Sequence, residues 1–140
     1  MAEKGYTFFD HTADVGIAAE GATLAELCIH LAQGLIELLI EDSELSPRTA
    51  RPVALKAQDA PSLVLAWLQE ILYWFSVDRF VPAAYELAEV TPTTLRGTVR
   101  GDIFDQARHV QGREVKAITR HHLEVKEVTG RWFGRVIVDI

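Results

Sequence analysis

The stretch from Leu63 to Val77 constrains the fold more than any other. Its apolar residues, among them Leu63, Val64, Leu65, Trp67, Leu68, Ile71, Leu72, Trp74 and Phe75, wrap most of a helical circumference, interrupted by Gln69 and Glu70. A helix that is apolar nearly all round is buried on several sides, so this one is expected at the centre of the core with other elements packed about it. Asp59-Ala60-Pro61-Ser62 supplies its start, with Pro61 near the first turn, where a missing N–H costs least. Trp67 and Trp74 read as core packing rather than as a platform for bases. The run falls short of the ~20 apolar residues that span a bilayer, and no other stretch approaches that length.

The remaining periodicities say what packs around this helix. Thr23 opens another helix, with Glu26 placed three residues on as in a capping box. Leu24, Leu27, Cys28, Leu31, Leu35 and Leu38 form one apolar stripe, and the helix is expected to run to about Ile40. Tyr6 to Phe9, Val15 to Ala19 and Arg51 to Ala57 read as strands. After Asp78-Arg79 the chain turns to strand chemistry: Phe80 to Val90, Leu95 to Ile103, Glu114 to Thr119, His122 to Val128 and Trp132 to Ile140. Pro92-Thr93-Thr94 and Thr129-Gly130 read as hairpin turns. Helices segregated from a run of strands predict an α+β fold, two helices packed on largely antiparallel sheets. At this length, residues 1–140 are expected to form a single domain.

Charge narrows the function classes. The net charge is −6, but from Arg96 to Ile140 there are nine Lys/Arg against six Asp/Glu, while the remainder holds five against fourteen. An acidic whole argues against strong non-specific binding to nucleic acid, although the basic third could touch a phosphate or an acidic partner. The single cysteine, Cys28, excludes an intrachain disulfide and a thiolate metal cluster, and its place on the apolar stripe makes it a core residue. The first residues, Met1 to Gly5, carry charge and lack the apolar segment of a signal peptide. A cytoplasmic location is expected.

Two segments carry site chemistry. Phe8-Phe9-Asp10-His11-Thr12-Ala13-Asp14-Val15-Gly16 places polar groups between apolar strand-like pieces, and Val136-Ile137-Val138-Asp139-Ile140 embeds a carboxylate in a β-branched strand at the chain's end. If Asp14 meets Asp139 and the Ile140 carboxylate, the anions require a cation, and oxygen donors suit Ca²⁺ or Mg²⁺. His11, His109, His121 and His122 are acid/base candidates, but their spacing matches no zinc motif. His121 and His122, adjacent on a strand, are expected on opposite faces. No phosphate loop or nucleophile elbow is present.

Taken in order, these segments resemble the archease family. His11-Thr12-Ala13-Asp14-Val15-Gly16 is similar to its opening "HTADIGI", and Thr23-Leu24-Ala25-Glu26-Leu27 to its first helix. Leu65-Ala66-Trp67-Leu68-Gln69-Glu70-Ile71-Leu72-Tyr73 resembles its "WLNELLY" helix. Gly101-Asp102-Ile103-Phe104-Asp105 through His109, then Glu114-Val115-Lys116-Ala117-Ile118-Thr119, resembles its "G-E-x-x-D…H…E-[IV]-K-A-[VI]-T" segment, and Val138-Asp139-Ile140 its terminal "DI". The resemblance implies two interleaved strand-helix-strand-strand modules, one inserted in the other. It implies a non-catalytic activator of an RtcB-type RNA ligase, which joins tRNA halves and other cleaved RNA ends. The activator promotes guanylylation of the ligase histidine and multiple turnover. It places a divalent metal, Ca²⁺ first and Mg²⁺ or Mn²⁺ as alternatives, on Asp14, Asp139 and Ile140, the last through main-chain or terminal oxygens. His109, Lys116 and Arg120 are the expected partner contacts, with no stable direct binding of nucleic acid and no membrane association. Two departures stand out: Arg120 replaces an aromatic in Thr119-Arg120-His121, and Asp102 stands where the family has Glu. The alternative readings are a free-standing metal-dependent phosphoester hydrolase and a chaperone-like protein-binding module.

Overall fold

A computed structural model of the chain describes residues 4–11, 14–41 and 43–140, the side chains of Asp10 and His11 excepted. Strands β1 (Tyr6–His11) and β2 (Asp14–Gly21) lead into helix α1 (Leu24–Leu39) and the short β3 (Ile40–Glu41). Strand β4 (Thr49–Lys56), helix α2 (Ala60–Asp78), and strands β5 (Phe80–Thr91) and β6 (Thr94–Ile103) follow. The chain closes with β7 (Val110–Gln111), β8 (Ala117–Val128) and β9 (Arg131–Asp139).

The strands form a four-stranded sheet in the order β1-β2-β9-β8, a three-stranded sheet β4-β6-β5 and a small β3-β7 pair. Every pairing is antiparallel. In sequence, β4-α2-β5-β6 is one strand-helix-strand-strand unit inserted between α1 and β8 of another, β2-α1-β8-β9. The α+β expectation and the interleaving both hold.

Local chemistry explains the boundaries. Thr23 caps α1 by accepting the Glu26 N–H at 3.0 Å, and the Glu26 carboxylate takes the Ala22 N–H, one residue ahead of the usual capping-box donor. The last carbonyls of α1 are satisfied by Gly112 N–H to Leu39 and Arg113 N–H to Leu38. Asp59 caps α2 through the Ser62 N–H at 2.9 Å. Arg79 ends α2 in the left-handed region at φ 58, its guanidinium lying over Phe75 and Phe104. The prolines sit where sheets tolerate them: Pro52 on the edge strand β4, and Pro82 beside a register shift in edge strand β5.

Helix α2 is central, as its pattern predicts: Leu63, Val64, Trp67, Leu68 and Ile71 are fully buried. Trp67 also ties the helices together, its indole N–H donating to the Cys28 carbonyl at 2.8 Å. Cys28 is enclosed, and burial pushes its thiol up to about 12. No helix among the described residues is long and apolar enough to cross a membrane.

The chief departure lies in β8. The two strands expected over 114–119 and 122–128 are one strand, starting at Ala117, with a bulge between Thr119 and Glu124. His122 takes φ 55 inside that bulge. The alternation that would send His121 and His122 to opposite faces is therefore broken, and their rings lie 4.0 Å apart between centroids.

Candidate functional site

The site builds from the register of the four-stranded sheet. Asp14 opens β2 and Asp139 closes β9, and the two are directly paired across these strands. The same row continues to His11 on β1 through its backbone and to Ala117 on β8. Opposed residues share a face with Cβ atoms about 5 Å apart. Both aspartates are half-buried, so two carboxyl side chains stand on the same row at one end of the sheet. Ile140 follows Asp139 directly, and the Lys116 N–H donates to the Asp139 carbonyl at 2.8 Å. Thr12 and Ala13, the middle of the opening motif, lie outside the described residues, as does the His11 side chain.

One row further along the same face, Phe9 pairs with Gly16 and Gly16 with Ile137. The Phe9 ring crowds Gly16: a Cβ there would lie 2.0 Å from its Cζ. The Arg135 guanidinium covers the ring at 4.5 Å. The glycine of the motif is thus required by a ring, not by backbone dihedrals.

A profile of the archease protein family matches residues 6–140. The chain belongs to the archease family. It is 32% identical to the protein archease of Methanosarcina acetivorans over 141 residues, covering 98% of this chain and 97% of that one. It is also 32% identical to the protein archease of Pyrobaculum neutrophilum, covering 96% and 95%. Its fold matches the solution structure of protein 1598 of Methanobacterium thermoautotrophicum with a TM-score of 0.83 at 30% identity, over 99% of this chain and 100% of that one. The crystal structure of a Thermotoga maritima archease, described as a possible chaperone, matches in fold with a TM-score of 0.61 at 17% identity, over 94% of each chain.

The archease segment from Gly101 to His109 builds a second polar cluster. Asp102 on β6 is buried, at 2% exposure. It accepts the Ser46 and Ile103 N–H groups at 3.0 and 2.9 Å and both terminal guanidinium nitrogens of Arg108 at 3.2 and 3.1 Å. These bonds, led by Arg108, hold its carboxyl far below the usual carboxylate range despite the opposing effect of burial. Asp105 accepts the Ala107 N–H and the Arg108 Nε. His109 Nδ1 accepts the Asp105 N–H at 2.9 Å, which puts the neutral ring's proton on Nε2, facing Asp102 at 3.5 Å. This cluster clips the turn after β6 to the segment around Ser46 and Arg48.

The structure thus separates the residues singled out in the sequence. Asp14, Asp139, Ile140 and Lys116 meet at one end of the four-stranded sheet. Arg120 sits in the β8 bulge, exposed, its guanidinium donating to the Ser62 hydroxyl at 3.3 Å at the start of α2. His109 does not reach the surface: its side chain is fully enclosed, its Nδ1 accepting the Asp105 N–H and its ring lying against Phe104. Sequence reasoning missed the Phe9–Gly16–Arg135 stack, whose only trace was a glycine inside a strand pattern.

Proposed function

We propose that this archease is a non-catalytic activator of an RtcB-type RNA ligase and that it acts through the Asp14–Asp139 end of the four-stranded sheet. One observation supports this most directly: two half-buried aspartates are paired across β2 and β9, which brings two carboxylate side chains to one end of the sheet. Both donors are hard oxygens, the main-chain oxygens of Ile140 adjoin them, and such donors fit Ca²⁺, with Mg²⁺ or Mn²⁺ as alternatives. Among the described residues no three His, Cys, Asp or Glu side chains gather to hold a metal, so the remaining ligands come from main chain, water or partner. A divalent ion held here would supply positive charge beside the phosphates of a nucleotidyl transfer. The protein's own part is to hold Asp14 and Asp139 in register, with Lys116 placed beside them by its N–H bond to Asp139.

The test is multiple-turnover RNA ligation by the cognate ligase with GTP and Mn²⁺, run without the protein, with wild type and with Asp14→Ala. Stimulation by wild type that the variant loses supports both activator and site. Stimulation by both discards the site. No stimulation by either favours a chaperone-like protein-binding module; the Thermotoga maritima archease is described as a possible chaperone.

A further inference from the structure

We propose that the outward face of the four-stranded sheet, centred on Phe133, binds single-stranded nucleic acid. Alternate residues of a strand share a face, so Arg131, Phe133 and Arg135 of β9 stand on one side. The intervening Trp132 and the following Val136 pack with the core, whereas Phe133 lies half-buried outside it and both arginines are exposed. Each guanidinium is therefore rooted roughly 7 Å from the ring along the strand. Lys126 is paired opposite Phe133 on β8. A second ring, Phe9, lies beneath Arg135. Lys126, Arg131, Phe133 and Arg135 line one cleft of about 640 Å³.

Cations interleaved with aromatic faces in an open groove match a strand that offers a phosphate and a flat base at every step. An acidic polypeptide would satisfy the cations but leave Phe133 with nothing to stack on, and a duplex keeps its bases paired. Glu20 and Glu124 contact Arg131 and Lys126 at 3.1 and 3.7 Å, but all four side chains are about half exposed. Water screens such pairs, so phosphate can exchange with them. Arg135 makes no ion pair among the described residues. The net charge of −6 keeps this binding weak and local rather than absent.

The experiment uses the isolated protein, without ligase or divalent ion, so its outcome is separate from that of the ligation assay. The probe is an unstructured fluorescein-labelled oligoribonucleotide of about ten nucleotides, titrated at low salt and read by anisotropy. Saturable binding is expected, with a log–log salt slope near −2 for about three phosphate contacts. Phe133→Ala, and Phe133→Leu, which keeps apolar bulk without the ring, should each weaken it roughly tenfold. Arg131→Gln with Arg135→Gln should lower the salt slope as well. Arg96→Gln with Arg100→Gln, on the three-stranded sheet, should change neither. A deoxy strand should bind comparably and an RNA duplex less tightly. Absence of saturable binding, or equal loss in the Arg96/Arg100 pair, would overturn the proposal. So would Phe133 variants that bind like wild type while polyglutamate displaces the strand, which would make this face a dock for acidic polypeptide.

Discussion

Asp102 receives both terminal guanidinium nitrogens of Arg108 from within the protein, at 3.1 and 3.2 Å. Arg108 is partly exposed and Asp102 is not, so the fork acts as a plug over a buried carboxylate. Removing it with Arg108→Ala leaves Asp102 with main-chain donors, the His109 ring at 3.5 Å and the more distant Arg48, a loss of about 2 kcal/mol, measured by urea unfolding at pH 7.

The same carboxylate sets an acid dependence. Its folded pKa is depressed, so the unfolded chain takes up the proton first and stability rises with pH between the two values. The contribution is fully present above the ordinary Asp value of about 3.9 and is lost as pH falls toward the folded value. Asp102→Asn should therefore be less stable at pH 7 yet show a flatter stability curve below about pH 4. Curves of the two proteins that stay parallel through that range would contradict the assignment.

Opposed carboxylates make a different forecast. Asp14→Asn or Asp139→Asn removes one carboxylate from the β2–β9 pair and should leave the fold intact. In chelator-treated buffer each variant should be as stable as wild type or slightly more so, by up to about 1 kcal/mol. Adding Ca²⁺ should raise the melting temperature of wild type, through preferential binding to the folded state, and barely move the variants. A marked loss of stability in either variant without metal would contradict this expectation.

Gly16→Ala drives a methyl group into the Phe9 ring. The expected loss is about 1–3 kcal/mol. Phe9→Ala costs stability by itself, but in its background Gly16→Ala should cost much less, and that coupling is the signature of direct contact. Additive losses in the double-mutant cycle would show that Gly16 is needed for another reason.

The β8–β9 hairpin offers a stabilising change. Val128 pairs with Arg131, leaving a two-residue loop of Thr129 and Gly130 at φ 52 and 79. Such loops favour Asn before Gly, and a β-branched residue is strained there. Thr129→Asn should add about 0.5–1 kcal/mol, seen as a higher denaturation midpoint with an unchanged slope.

Much of the fold was legible because local pattern and tertiary structure agree. The wrapped apolar surface of Leu63 to Phe75 could be satisfied only at the centre, and Thr23 and Asp59 marked their helix starts by side-chain chemistry alone. The hairpin turns declared themselves through Pro92-Thr93 and Thr129-Gly130. The β8 bulge did not, since nothing in Arg120-His121-His122-Leu123 demands a left-handed residue. The pairing of Asp14 with Asp139 was stated only as a condition, because register between distant strands is set by the whole core. His109 looked available for contact because a buried histidine and an exposed one read alike in sequence; in three dimensions its ring bonds to the Asp105 N–H and lies against Phe104.

Strands β2 and β9 are neighbours in the sheet but are synthesised at widely separate times, with the whole β4-α2-β5-β6 unit emerging between them. On the ribosome β1, β2 and α1 must wait for β8 and β9 to complete their sheet. The carboxylate pair therefore comes into being only at the final stage of maturation. A chain stalled or clipped before β9 carries Asp14 without the Asp139 that pairs with it.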